Sequence, residues 1–271
     1  MSTTPDNPYR PPSSHVADVR EPGADLQFAV PAARLDAGRG VSWIGEGWAL
    51  FKMAPVLWIV ALLILFGIQL VLGLIPVLGS IASILVGPIF MVGVLAFAHG
   101  LANGEAADLG NLFVGFKEKL GALVTVALLY FVMILAVIVL AVIAVVVLLG
   151  GSSLLTAADP EQAMMGMMAG AAGLSLLLVF LVVMALFMLV AAAYWYAPGL
   201  VFFAGLGATD AMKQSFSACL ANWLPFLVYG LVSFFVLIFG TVALFIGLLV
   251  AVPVLMASYY ASFRDLFGRA A

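Results

Sequence analysis

Six stretches of the chain contain no Asp, Glu, Lys or Arg: roughly residues 55–75, 78–99, 120–149, 174–197, 224–241 and 243–263. Nothing else in the sequence constrains the fold as strongly. An α-helix rises about 1.5 Å per residue, so each stretch is long enough to cross a hydrocarbon core of about 30 Å. The third is longer than a crossing needs and is expected to tilt or to project beyond the bilayer. Its Val, Ile and Leu content does not make it a strand. In lipid an apolar segment must satisfy its own N–H and C=O groups, and a helix does that. The expected fold is all-α: a polytopic membrane helical bundle of six transmembrane helices.

Composition agrees. The chain is 66% hydrophobic and 8% charged, with a mean hydropathy of +1.26. Soluble domains are about 45–50% apolar and about 25% charged. A net charge of −3 offers no footprint for nucleic acid. The single cysteine, Cys219, excludes an intrachain disulfide. Residues 1–39 are read as a disordered cytoplasmic tail. They hold six of the 13 prolines and no apolar core of a signal peptide. The transmembrane domain is expected over 40–267.

The basic residues orient the helices. Arg10, Arg20, Arg34, Arg39 and Lys52 precede the first stretch. Lys117 and Lys119 lie between the second and third, Lys213 between the fourth and fifth, and Arg264 and Arg269 follow the sixth. With six crossings, all ten fall on one side. The positive-inside rule makes that side cytoplasmic and places both termini there. Five or seven crossings would break the segregation.

The connections on that side have structure of their own. Met212, Phe216, Cys219, Leu220 and Trp223 recur at helical spacing, while Lys213, Gln214 and Ser217 fall elsewhere. This predicts a short cytoplasmic amphipathic helix in the membrane interface. Leu112, Phe113, Phe116 and Leu120 form a similar face, as do Ile44, Trp48 and Phe51. The same unit thus occurs three times, a short helix followed by a helical hairpin. A small residue before an aromatic recurs in each short helix: Gly47-Trp48, Gly115-Phe116 and Ser215-Phe216. The returning helices of the first and third units carry matching prolines, Pro88 and Pro253, which are candidate kinks. Gly79, Ser83 and Gly87 leave one face of the second stretch nearly bare, and Gly247 and Ala251 do the same in the sixth. These are candidate helix-packing positions.

Little chemistry is on offer. No charge lies inside a span, whereas ion-coupled transport needs one near the midplane. His15 and His99 are far apart in sequence, and with one cysteine they make no metal constellation. There is no phosphate-binding glycine loop. Cofactors and catalytic residues are not expected. A Met-rich run, Met164-Met165-Gly166-Met167-Met168, offers thioethers that suit Cu(I), but the Ala, Gly and Met of 163–173 are better read as a flexible apolar loop or a membrane-grazing helix.

Several motifs carry a resemblance: Gly47-Trp48-Ala49-Leu50-Phe51-Lys52, Ile75-Pro76-Val77-Leu78-Gly79-Ser80, Leu112-Phe113-Val114-Gly115-Phe116, Tyr196-Ala197-Pro198-Gly199-Leu200-Val201, and above all the stretch from Ala211 to Phe226. Over roughly 40–267 the chain resembles an uncharacterised six-helix inner-membrane family of beta- and gammaproteobacteria. It is also distantly similar to the membrane domain of some glycerophosphodiester phosphodiesterases, without their soluble catalytic domain. The resemblance implies a bacterial membrane domain and supplies no catalytic residue.

The functional expectation is a non-enzymatic membrane protein that organises envelope components. Its partners would be the lipid bilayer and either another membrane protein or a second copy. The alternative is a passive channel or carrier for an apolar or amphiphilic solute such as a lipid, with a cavity between the second and sixth helices.

Overall fold

The structure is a computed structural model that describes residues 26–148, 170–242 and 245–270. It is all-helical apart from one pair of three-residue strands. Strand β1 (Leu26–Phe28) is followed by α1 (Arg39–Met53), α2 (Pro55–Gly73) and α3 (Leu78–Ala102). A 3-10 turn (Leu109–Phe113) leads into α4 (Val114–Lys117) and α5 (Leu120–Leu148). After residues 149–169, which lie outside the described residues, come α6 (Gly170–Trp195), α7 (Ala197–Phe203), α8 (Ala208–Ala221), α9 (Trp223–Val242) and α10 (Leu248–Phe267). Strand β2 (Gly268–Ala270) then pairs antiparallel with β1, with Gln27 opposite Arg269.

Five segments are long and apolar enough to cross a membrane: Pro55–Gly73, Leu78–Ala102, Leu120–Val147, Gly173–Phe203 and Trp223–Val242. The chain is a multi-pass membrane protein by that measure. Helix α10 is not among the five. Its last half carries Ser258, Tyr259, Tyr260, Ser262, Arg264 and Asp265, and this half is buried in protein instead of facing lipid.

Three helical hairpins make up the bundle: α2–α3, α5–α6 and α9–α10. Their returning helices gather at the centre. Burial is concentrated at one end, from Pro88 to Leu101 in α3 and from Ala251 to Phe267 in α10. Toward the other end α2, α5, α6 and α9 turn large apolar side chains outward, among them Leu70, Val147, Leu178 and Phe239. Hydrocarbon is the solvent that makes such a surface stable.

The short helices follow a cyclic rule. Each packs chiefly on the hairpin before it: α1 on α9–α10, the 3-10 turn and α4 on α3, and α8 on α6 and α7. The third hairpin thereby closes onto the first short helix. That order is what three copies of one unit around a common axis would give.

Residues 26–38 are ordered, which corrects the reading of a disordered tail through residue 39. Backbone bonds run from Ala29 N to Phe267 O (2.9 Å) and from Ala33 N to Leu266 O (2.8 Å). The side chain of Asn222 accepts from Leu35 N and donates to Ala33 O. The segment has acceptors, donors and an apolar niche waiting for it, which composition alone cannot reveal. The rest of the tail and the Met164–Met168 run lie outside the described residues.

Candidate functional site

The charged side chains gather at the buried end of the bundle, and the strongest constellation joins α1 to α10. Arg39 Nε donates to Asp265 Oδ2 at 2.7 Å, and Arg39 Nη2 to Glu46 Oε1 at 2.8 Å. Arg264 Nη2 donates to Glu46 Oε2 at 2.7 Å, and the Trp43 indole N–H to Asp265 Oδ2 at 3.0 Å. Each carboxylate thus serves two donors. The hydrogen bond that Arg39 donates to Asp265, with the charges of Asp265 and Glu46, holds the Arg39 guanidinium above its usual pKa against the cost of burial. Arg39 and Glu46 sit seven apart on one helix face, a spacing that offered a signal in the sequence.

The small residue of each short helix makes the same contact. A Cβ on Gly47 would lie 2.6 Å from Val254 O and from Ser258 N of α10. A Cβ on Gly115 would lie 3.0 Å from Ile89 O of α3. In the third unit the residue is Ser215, whose hydroxyl donates to Ala192 O (2.7 Å) and accepts from Tyr196 N (2.9 Å). Two of the carbonyls are equivalent in sequence: Ile89 and Val254 each follow a buried proline, Pro88 and Pro253, by one residue. The two glycines let an unbroken helix pass close by. Ser215 instead inserts its hydroxyl between two rungs of the ladder, and the returning helix divides there into α6 and α7.

Buried hydroxyls stitch the returning helices together. Tyr196 Oη donates to Ser262 Oγ at 2.7 Å, Tyr229 Oη and Ser258 Oγ are 2.8 Å apart, and Tyr259 Oη donates to Trp195 O. His99 Nδ1 is 2.9 Å from Tyr260 Oη, and its Nε2 is 3.1 Å from Asn103 Nδ2. Phe28, from the N-terminal segment, stacks on Phe263 and meets the rings of His99 and Phe203. Those three rings come from α3, α7 and α10, so Phe28 caps the place where the returning helices converge. No local pattern marks Phe28 or Asn222 for these roles, and Ser215 stands out only as the small residue of the Ser215-Phe216 pair.

The residues singled out from sequence are placed as follows. Gly247 lies against its hairpin partner, where a Cβ would be 2.7 Å from Gly240 O, and Ala251 faces the same glycine. The Gly79, Ser83 and Gly87 row does not meet a single neighbour. Gly79 packs on Leu72 at the hairpin turn, while Gly87 faces the Tyr194 hydroxyl. Pro88 and Pro253 are buried inside helices that continue through them. The stripe of Met212, Phe216, Cys219, Leu220 and Trp223 divides: Met212 is buried, and Phe216 and Cys219 are partly buried. Helix α8 buries Ala211, Met212, Ser215 and Ala218, whereas Leu220 and Trp223 are exposed. In water the apolar face turns inward. Beside lipid the small face packs on protein and large side chains are free to face outward. Burial pushes the Cys219 thiol from 9.0 up to about 12, so it stays protonated and unreactive.

An open depression of about 450 Å³ lies at the junction of α1 and α2 with the end of α3, lined by residues 53–57, Leu101 and residues 104–107. It is not between α3 and α10, which touch directly through His99 and Tyr260. Among the described residues no three His, Cys, Asp or Glu side chains converge as metal ligands. The ion pairs and hydroxyls join one element to another, an arrangement suited to holding helices in register. No family model, no curated protein and no solved structure matches the chain.

Proposed function

We propose that the chain is a six-span inner-membrane protein with both ends in the cytoplasm, and that it serves as a non-catalytic platform for assembling envelope components. The observation that carries this is the charged end of the bundle, where Arg39, Glu46, Arg264, Asp265, Trp43 and the Tyr–Ser pairs bond to one another across elements. Groups committed to such ties stiffen a surface and are poorly placed to act on a substrate.

The strand pair supports the span count. The pairing of β1 with β2 supports residues 26–28 and 268–270 being on one side of the membrane, with an even number of crossings between them. Five segments qualify by length and hydropathy, and α10 supplies the sixth. The basic residues on the same side support a cytoplasmic orientation, and α1, α4 and α8 are then the short cytoplasmic helices of the three units.

The test is gentle detergent extraction of the tagged full-length protein, followed by mass spectrometry of the proteins and lipids that accompany it. A stoichiometric protein partner is the expected result. A chain that emerges with one lipid class and no protein would overturn the platform and favour a lipid carrier.

A further inference from the structure

Helix α3 ends in a turn that fixes one carboxylate. Glu105 N bonds to Gly100 O at 2.9 Å and Gly104 N to Leu101 O at 3.1 Å, with Gly104 at φ 78°. This pair of bonds closes the helix with a left-handed glycine, so residue 105 leaves in a defined direction. The Glu105 side chain folds back over Gly100, where a Cβ would stand 3.0 Å from Oε2 and 3.7 Å from Asn111 Nδ2. No lysine or arginine among the described residues forms an ion pair with it. Glu105 thus stands exposed at the rim of the depression described above, beside the Asn111 amide and in the field of His99.

The remaining wall is apolar. Met53, Val56, Leu57, Leu101 and Ala106 contribute to it, Met53 and Val56 are largely exposed, and Glu105 is the single ionisable group of the lining. The depression sits where α2 begins and α3 ends, which is the headgroup level of the leaflet on the basic side. Its volume falls within the range of small-ligand sites, roughly 300–1,000 Å³.

We propose that this depression holds the headgroup of a phospholipid carrying a primary ammonium, as in phosphatidylethanolamine. The ammonium donates charge-assisted hydrogen bonds to Glu105. The upper acyl chains lie along Met53 and Val56. Anionic headgroups meet the repulsion of Glu105. A quaternary ammonium has no N–H to donate and is ordinarily held by aromatic rings, and the lining has none. The preference is thus for ethanolamine over glycerol and choline headgroups.

The inference rests on the membrane-spanning part of the reading above and not on the platform role. It is tested on the full-length protein in a nonionic detergent, offered equal amounts of phosphatidylethanolamine, phosphatidylglycerol and phosphatidylcholine, with bound lipid counted by native mass spectrometry. Wild type is expected to retain the ethanolamine lipid selectively. Glu105→Gln is expected to lower that retention about tenfold, the loss of one hydrogen bond to a charged group. Glu118→Gln, a carboxylate outside the depression, is expected to change nothing. Equal retention of the three headgroups, or undiminished retention by a folded Glu105→Gln variant, would overturn the proposal. If that variant does not fold, Ala106→Trp decides in its place, since it keeps the charge and fills the space: retention equal to wild type then counts against the site. A protein that brings down a partner but prefers no lipid would end this inference and leave the platform standing.

Discussion

A methyl group at position 47 has no room. Its Cβ would meet α10 backbone at 2.6 Å on two sides, and backbone cannot swing away as a side chain can. Gly47→Ala is therefore expected to lower stability by about 1–3 kcal/mol, the range for overpacking a tight contact. Gly45→Ala, on the same helix with nothing within 4 Å of its Cβ, is expected to be neutral or mildly stabilising. Unfolding midpoints in SDS titrations would separate the two. Cys219 gives a second expectation at this scale. Its thiol is held protonated by burial, with a pKa near 12 against an ordinary 9.0. The unfolded chain therefore releases this proton at lower pH than the folded one, so the contribution of Cys219 to stability falls as pH rises above about 9. At neutral pH a maleimide is expected to label folded protein slowly and SDS-unfolded protein fast. Equal rates would mean the thiol is not covered. The small residue before an aromatic was legible in the sequence as a recurring pair, but the carbonyl that Gly47 approaches was not, because local sequence does not encode a contact two hundred residues away.

Helix α8 shows what sequence periodicity measures in a membrane protein. Its spacing announced a helix and an apolar face of Met212, Phe216, Cys219, Leu220 and Trp223. The buried face proved to be Ala211, Met212, Ser215 and Ala218, because close approach between helices favours small residues when both alternatives, protein and lipid, are apolar. Ser215 is the consequential member of that face. Ser215→Ala would leave Tyr196 N–H without its acceptor while a methyl still wedges the helices apart, a loss of about 1–3 kcal/mol for an unsatisfied buried donor. Ser215→Gly is expected to cost less. With no side chain between the rungs, Tyr196 N–H can return to Ala192 O, and α6 and α7 can join as α3 and α10 do in the other two units. Amide exchange at Tyr196 reads this directly. Protection is expected to fall in the alanine variant and to persist in the glycine variant, and equal loss in both would mean that Ser215 does not divide the helix.

Over the whole molecule, composition and apolar runs announced a helical membrane bundle without ambiguity, since no other solvent suits the outward faces of α2, α5, α6 and α9. They could not announce the cyclic docking of each short helix on the preceding hairpin, because apolar helices align with one another in almost any register. Nor could they announce that residues 26–35 fold back onto the end of α10, a closure made by main-chain bonds, the Asn222 side chain and the Phe28 ring, whose partners are all distant in sequence. That closure has a topological consequence. If β1 and β2 pair across Gln27 and Arg269, the two chain ends share one side of the membrane and the number of crossings is even. Paired residues in an antiparallel ladder have Cα atoms about 4.5–5.5 Å apart, inside the range of about 4.4–6.8 Å that a disulfide bridges. A Gln27→Cys, Arg269→Cys variant built on Cys219→Ala is thus expected to form an intrachain disulfide on mild oxidation of intact membranes. Either single-cysteine chain is expected to be labelled by a membrane-impermeant thiol reagent only after the basic side is exposed. Five crossings would put the two cysteines on opposite faces, where no oxidant could join them and each reagent would reach only one. The cross-link and the labelling therefore test the strand pair and the span count together, and a labelled but unlinked pair on one face would retain the even count while removing the strap.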